Sequence, residues 1–410
     1  MARRRLSLRY GRGSLEFTVP DSADILEVRQ PQPTVNSTSF AQGLAEVLPT
    51  IIPEGRVAIV VADKTRLCGY PIVLPRLLEA LQARGVARHR IVFFIAYGNH
   101  APQNEDESLA AYGPVFRDYP FIHHCSTEPD LFVELGVTGR GTPVRLRRDL
   151  VSAGLIITVG AISHHYFAGF GGGRKLLFPG LAEQQAIYHN HRLFLDSHRQ
   201  TLAPGCRPGL MDGNPLAEDL AEIDRMLPRY IAIHGLLDNV GEVAAYRFGR
   251  SYSDFLDACR EHDRYYRAHT GAPYDLVLAS AGGYPKDINL IQAHKAIDNG
   301  SAFVRDGGTL ILLAECPEGI GSTTFLPYFA MGGWQAAFDH LARNYSGNGG
   351  TALALMAKTR RITICLVTAL DLNLCEQIGL GRLGSDQVDS LLLDTGSRIA
   401  VIRNSSMLVR

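Results

Sequence analysis

The sequence predicts an α/β protein with two α/β domains, mainly parallel sheets, facing each other across an active-site cleft. Three observations predict it. The chain has 410 residues, more than one hydrophobic core usually organises. Short apolar runs recur, such as RVAIVVA at 56–62, RIVFFIA at 90–96 and AGLIITVGAI at 153–162. Such unbroken runs mark strands buried on both faces, as in parallel sheets. Between them lie longer stretches whose apolar residues repeat at helical spacing.

In chain order, residues 6–19 alternate and predict a hairpin. Residues 21–38 are polar and proline-bearing, and predict an extended surface segment. A helix is predicted over 39–48, with Ser39 as its cap. The strand 56–62 follows, then the tetrapeptide DKTR, then an amphipathic helix over 70–84. The strand 90–96 leads into YGNH, and a helix begins at 105. The strand 153–162 leads into a glycine-rich loop, and a helix is predicted over 181–196. A helix over 214–226, a strand over 230–237 and a long amphipathic helix over 251–269 complete a first domain, 1–268. The segment 269–275 (HTGAPYD) reads as a hinge. A second domain, 276–410, has strands LVLASA, TLILLAE, RITICLV and RIAVIR. Its helices are expected at 287–299, 334–343, 351–358 and 387–393. The sequence leaves open which sheet the last strand joins.

Composition narrows the function. Lys plus Arg and Asp plus Glu both number 41, giving zero formal net charge. That offers no support for binding nucleic acid or a membrane surface. The basic start lacks the apolar core of a signal peptide, and no apolar run is long enough to span a bilayer. Seven cysteines are scattered without a CxxC pair, which points to free thiols in a reducing cytoplasm.

The chemistry is expected in SHHYFAGFGGGRKLLFPG, residues 163–180. Loops after parallel strands form the ligand crevice of open α/β sheets. Glycines permit positive φ and close backbone approach, and their amides can cradle an anion. Neither standard phosphate loop fits. Leu176 stands where the Walker pattern needs Ser or Thr, and Arg174 where the dinucleotide pattern needs glycine. A tight structural turn therefore remains an alternative. Asp63, Arg66, His100 and His165 all follow predicted strands, so they converge. His189 and His191 are two apart on a predicted helix and point about 200° apart, so one of them faces the loop.

HHYFAGFGGGRKLLFPG, with AYGNHAPQNEDE upstream and GGYPKDINLIQAHKAIDNG downstream, resembles the nickel-dependent lactate racemase family. ADKTR at 62–66 and CPEGIGSTTF at 316–325 fit the same pattern and order. The resemblance implies a racemase or epimerase that inverts the 2-carbon of a lactate-like 2-hydroxy acid. It implies reversible hydride transfer through a 2-keto acid intermediate. The implied cofactor is the nickel pincer nucleotide, pyridinium-3-thioamide-5-thiocarboxylic acid mononucleotide with Ni(II), joined covalently to Lys175. By the same match, His191 is the metal ligand. His100 and His165 are the catalytic bases, one per enantiomer, with His164 competing for the role of His165. Arg66, Gln292 and Lys295 would bind substrate. Asp63, Thr65, Gly171, Gly172 and Gly173 would hold the cofactor's ribose-phosphate. Partners would be the small-molecule acid and the cofactor-biosynthesis proteins. The family pattern has Arg where this chain has Ala101 and Tyr where it has Ile291, so the pocket walls differ and a larger acid or a sugar acid also fits.

Two other readings compete. One is a zinc-dependent hydrolase built on His189 and His191. The other is a non-catalytic nucleotide- or cofactor-binding module. The first lacks HExxH, and the second leaves the paired histidines without a purpose.

Overall fold

The structure is a computed structural model that describes residues 2–34, 36–393 and 396–410. The chain divides into two compact units. One comprises Gln30–Leu193 and Pro204–Arg264, the other Met1–Arg29, Phe194–Ala203 and Tyr265–Arg410.

The first unit holds a six-stranded sheet. From one edge it runs Val243–Gly249, Tyr230–Leu237, Leu155–Ala161, Val57–Ala62, Ile91–Ala96 and Phe121–His123. All neighbours are parallel except the antiparallel Val243–Gly249 edge. Every residue of Val57–Ala62 is buried, as its unbroken apolar run requires. Going outward from Val57–Ala62, the chain first builds one side of the sheet and later returns to build the other. The crevice at such a reversal is where open α/β sheets bind ligands. Here Leu155–Ala161, Val57–Ala62 and Ile91–Ala96 are adjacent. The loops carrying His165 with Lys175, Asp63 with Arg66, and His100 leave their carboxyl ends side by side.

The second unit holds an all-parallel six-stranded sheet in the order Gly381–Arg382, Thr363–Val367, Val304–Leu313, Tyr274–Ser280, Ile399–Ile402 and Asp24–Leu26. The last strand thus joins the second sheet. So does Asp24–Leu26, which the sequence placed in an irregular surface segment. The hairpin Arg3–Tyr10 with Gly13–Pro20 forms as expected. Its Leu8, Phe17 and Val19 pack with Leu278, Ile311 and Val401 in one buried cluster. The amino-terminal segment therefore builds onto the second unit rather than the first, and the units are not contiguous in sequence.

Local differences have local causes. The helix predicted from 39 is Ser37–Val47, and its cap is Asn36. The Asn36 side chain accepts from Ser39 N at 2.8 Å, and Ser39 is the third helical residue of a capping box. The helix predicted over 181–196 is shorter, Gln184–Arg192. Before it, Leu181 O accepts from Arg147 N. After it, Leu195–Asp196 pairs with Thr201–Leu202.

Candidate active site

The turn after Val57–Ala62 is built by buried phenols. The Tyr70 hydroxyl accepts from Ala62 N at 2.7 Å and donates to Val159 O at 2.9 Å. The Tyr112 hydroxyl donates to Ala62 O at 2.9 Å. The backbone groups at the strand end are thus paired without extending the ladder, and Asp63 emerges at a fixed point.

Asp63 is 3% exposed and fully engaged. Its Oδ1 accepts from Thr65 N at 2.8 Å and Thr65 Oγ1 at 2.6 Å. Its Oδ2 lies 2.7 Å from His100 Nδ1 and 3.5 Å from Arg66 Nη1. Burial alone would raise the Asp63 pKa. The hydrogen bond and charge of His100, then Arg66 and Thr65, overcome that and hold it well below the usual carboxylate range. The carboxylate thus serves His100, a role the sequence did not reveal, because 37 residues separate the two in the chain. Arg66 Nη1 approaches His100 Nδ1 at 3.4 Å and donates to Thr65 Oγ1 at 3.2 Å. Its guanidinium remains partly exposed beside the His100 ring.

The glycine-rich segment pairs Ser163–His165 with Gly169–Gly171 as a tight hairpin. The two histidines separate cleanly. The side chain of His164 is buried and bonded through Nε2 to Asp263 Oδ1 at 2.7 Å. His165 is half-buried, and its Nδ1 accepts from Phe167 N and Ala168 N, each at 3.2 Å.

The glycines answer first to the chain itself. A Cβ at Gly172 (φ +86°) would lie 2.5 Å from Ala161 O, and one at Gly173 (φ +53°) 2.6 Å from the Phe255 ring. One at Gly171 would lie 3.1 Å from Ser163 Oγ. Side chains at Gly172 and Gly173 would strain the turn, whereas at Gly171 the Ser163 hydroxyl would have only to shift. It presents Lys175, half-buried, whose amine is pushed well below its usual pKa by burial and then by the charges of Arg66 and Arg174. That shift favours the uncharged, nucleophilic form of the amine.

On Gln184–Arg192, His189 is exposed and His191 partly buried. Burial, then the charges of Lys175 and His100, lower the His191 pKa to about 3. The ring is therefore neutral near pH 7. Beside it Asn190 donates to Asp219 Oδ2 at 2.8 Å, which fixes the helix. Arg66, His100, Lys175 and His191 thus act on one another in one neighbourhood. In the second unit, Gln292 and Lys295 lie one turn apart on the helix Leu290–Ser301, and Lys295 Nζ donates to Gln292 Oε1 at 2.7 Å.

These residues fit a cofactor that brings its own metal donors. Among the described residues no group of three or more His, Cys, Asp or Glu side chains is placed to hold a metal. A protein-built zinc centre needs at least three such ligands. His191 and Lys175 could offer such a cofactor one metal ligand and one point of attachment.

Known proteins resemble this chain in sequence and in fold. Residues 10–203 match the lactate racemase N-terminal domain and residues 270–344 the lactate racemase C-terminal domain. The chain is 27% identical over 337 residues to lactate racemase of Thermoanaerobacterium thermosaccharolyticum, covering 79% of this chain and 77% of that one. It is 30% identical over 275 residues to lactate racemase of Lactiplantibacillus plantarum, covering 66% and 62%. Its fold is similar to the lactate racemase apoprotein structure from T. thermosaccharolyticum, with a TM-score of 0.83 and 24% identity over 99% of this chain and 100% of that one. A Thermotoga maritima protein shares the fold at a TM-score of 0.70 and 16% identity, over 93% and 99%.

Proposed function

The chain belongs to the lactate racemase family, a family of isomerases, and from that premise we propose that it inverts the 2-carbon of lactate or a closely related 2-hydroxy acid. The observation that carries the reading is the cluster of Arg66, His100, Lys175 and His191. We infer that the cofactor is the nickel pincer nucleotide, attached at Lys175 and ligated by His191. When bound, this group supplies a reversible acceptor for the hydride of the 2-carbon, so that a planar 2-keto acid lies between the enantiomers.

The chain's own residues supply the rest. Direct proton removal from the 2-carbon would put a second negative charge beside the carboxylate. Loss of the hydroxyl proton avoids that, and His100 Nε2 is the group able to take it. Asp63 compensates the charge that His100 then carries. Arg66 offers a planar fork for the substrate carboxylate. The family motif adds Gln292 and Lys295 as substrate contacts, and their mutual hydrogen bond fixes where the ammonium stands. Ala101 and Ile291 stand where the family pattern has Arg and Tyr, so the proposed substrates include 2-hydroxy acids larger than lactate.

No helix among the described residues is long and apolar enough to cross a membrane, and all seven cysteines are free thiols. Both suit action in the cytoplasm, where cofactor-biosynthesis proteins would load the chain. The test is production with and without those proteins. Loaded protein should contain nickel and racemise a 2-hydroxy acid, and the unloaded chain should do neither. Zinc with hydrolase activity would overturn the reading.

A further inference from the structure

We propose, on the racemase reading above, that Lys358 is a positioning residue for the substrate contact Lys295. It holds the Asp298 carboxylate, which would otherwise compete with the substrate anion for the Lys295 ammonium.

The helix Leu290–Ser301 carries Gln292, Lys295 and Asp298 at three-residue spacing, so each lies one turn from the next. Helical side chains lean toward the amino terminus. Lys295 accordingly reaches back to Gln292, donating to its Oε1 at 2.7 Å. By the same rule Asp298 leans back toward Lys295. A carboxylate one turn from an ammonium attracts it. Left to itself, Asp298 would draw Lys295 away from Gln292 and repel an incoming anion.

Lys358 answers that carboxylate. It lies in the last turn of the helix Gly349–Thr359, which packs on the helix Leu290–Ser301. Its Nζ stands 2.6 Å from Asp298 Oδ1 and donates to Ala354 O at 3.2 Å. The second bond sets the ammonium at the negative end of its own helix. The Lys358 and Asp298 side chains are only 15% and 14% exposed, so salt screens the pair little. The Lys358 charge also reaches His294, the neighbour of Lys295 in the chain. Burial and then that charge hold the His294 pKa well below its usual value. Arg361, the next cation along, is committed elsewhere: it donates to Ser301 O and Val304 O and pairs with Asp306. Among the described residues, Lys358 is the one cation paired with Asp298.

A pair that only joined two helices would respond alike to a break on either side. A pair that shields a charge responds with opposite signs. Lys358→Met leaves an uncompensated anion one turn from Lys295, whereas Asp298→Asn leaves an uncompensated cation nearby. In loaded enzyme, Lys358→Met should raise KM for the 2-hydroxy acid about tenfold, the scale of one charge felt through partly buried protein, with kcat changed far less. Asp298→Asn should not raise KM. The double variant, Asp298→Asn with Lys358→Met, should return to near the wild-type KM, and Lys358→Arg should resemble wild type. If Lys358→Met does not fold, Asp298→Asn is compared with the double variant, and its KM should be the lower of the two.

A second readout needs no activity. Reductive methylation with isotope-labelled formaldehyde marks Lys64, Lys175, Lys286, Lys295 and Lys358 in the unloaded protein, and NMR follows the titration of each. The Lys295 midpoint should rise in Lys358→Met and fall back in the double variant. An unchanged KM in folded Lys358→Met, a rise in KM in both single variants, or a Lys295 midpoint that does not move overturns the proposal. If loaded wild type racemises no 2-hydroxy acid, the racemase reading fails instead, and the titration alone decides whether Lys358 shields Lys295 from Asp298.

Discussion

His100 Nδ1 donates to Asp63 Oδ2 at 2.7 Å, while Asp63 Oδ1 accepts two hydrogen bonds from Thr65. A carboxylate can serve both sides because it only accepts. An amide cannot. In Asp63→Asn, the carbonyl oxygen should stay with the Thr65 donors, which turns the NH₂ group toward His100. That forces His100 into the tautomer with Nε2 protonated and removes its basic lone pair. We expect kcat to fall about a hundredfold or more, with KM changed far less. A kcat within a few-fold of wild type would show that Asp63 does not orient the base.

The same pair gives a pH signature in stability. The Asp63 pKa is depressed in the folded state, so its contribution is present above the unfolded carboxylate pKa, about 4. It is lost as pH falls below that value toward the folded pKa. The difference in urea midpoint between wild type and Asp63→Asn should be largest near neutrality and shrink below about pH 4. A gap that does not change across that range contradicts the assignment.

The roles proposed for Lys175 and His191 separate attachment from metal binding. In protein produced with the cofactor-synthesis proteins, Lys175→Ala should fold and show no mass adduct. His191→Ala should keep the organic adduct and lose nickel. Intact-protein mass and metal analysis on the two variants check this together. An adduct surviving on Lys175→Ala would place the attachment elsewhere.

Gly172 tests the strain of the turn, read as stability. Its φ is +86°, and a Cβ would lie 2.5 Å from Ala161 O, a backbone atom in the sheet that has nowhere to retreat. Gly172→Ala should cost of order 1–3 kcal/mol, read from chemical denaturation. An unchanged midpoint would mean that the turn rearranges freely.

Much of this was legible in the sequence. Val57–Ala62, Ile91–Ala96 and Leu155–Ala161 announce themselves because strands buried on both faces read as unbroken apolar runs. Their loops could then be placed at one end of a sheet. What stayed hidden depends on contacts between distant residues. Asp24–Leu26 is too short to show a period, and it becomes a strand only by pairing with Ile399–Ile402. Neither His164 nor His165 is marked by its neighbours; Asp263, 99 residues on, claims the first. The sequence predicts a helix from 214; the structure makes Asn214 its cap, and nothing in the sequence shows that its amide also donates to Phe167 O.

The most direct measurement of the central claim follows the hydrogen on the 2-carbon. Loaded enzyme is given single enantiomers of 2-deuterated lactate and larger 2-hydroxy acids in ordinary water, and the opposite enantiomer is analysed by mass spectrometry. The account predicts that the product keeps its deuterium, because the hydrogen travels as hydride and never meets solvent. Product that has exchanged deuterium for solvent hydrogen would show that the 2-carbon is deprotonated, and would contradict the account.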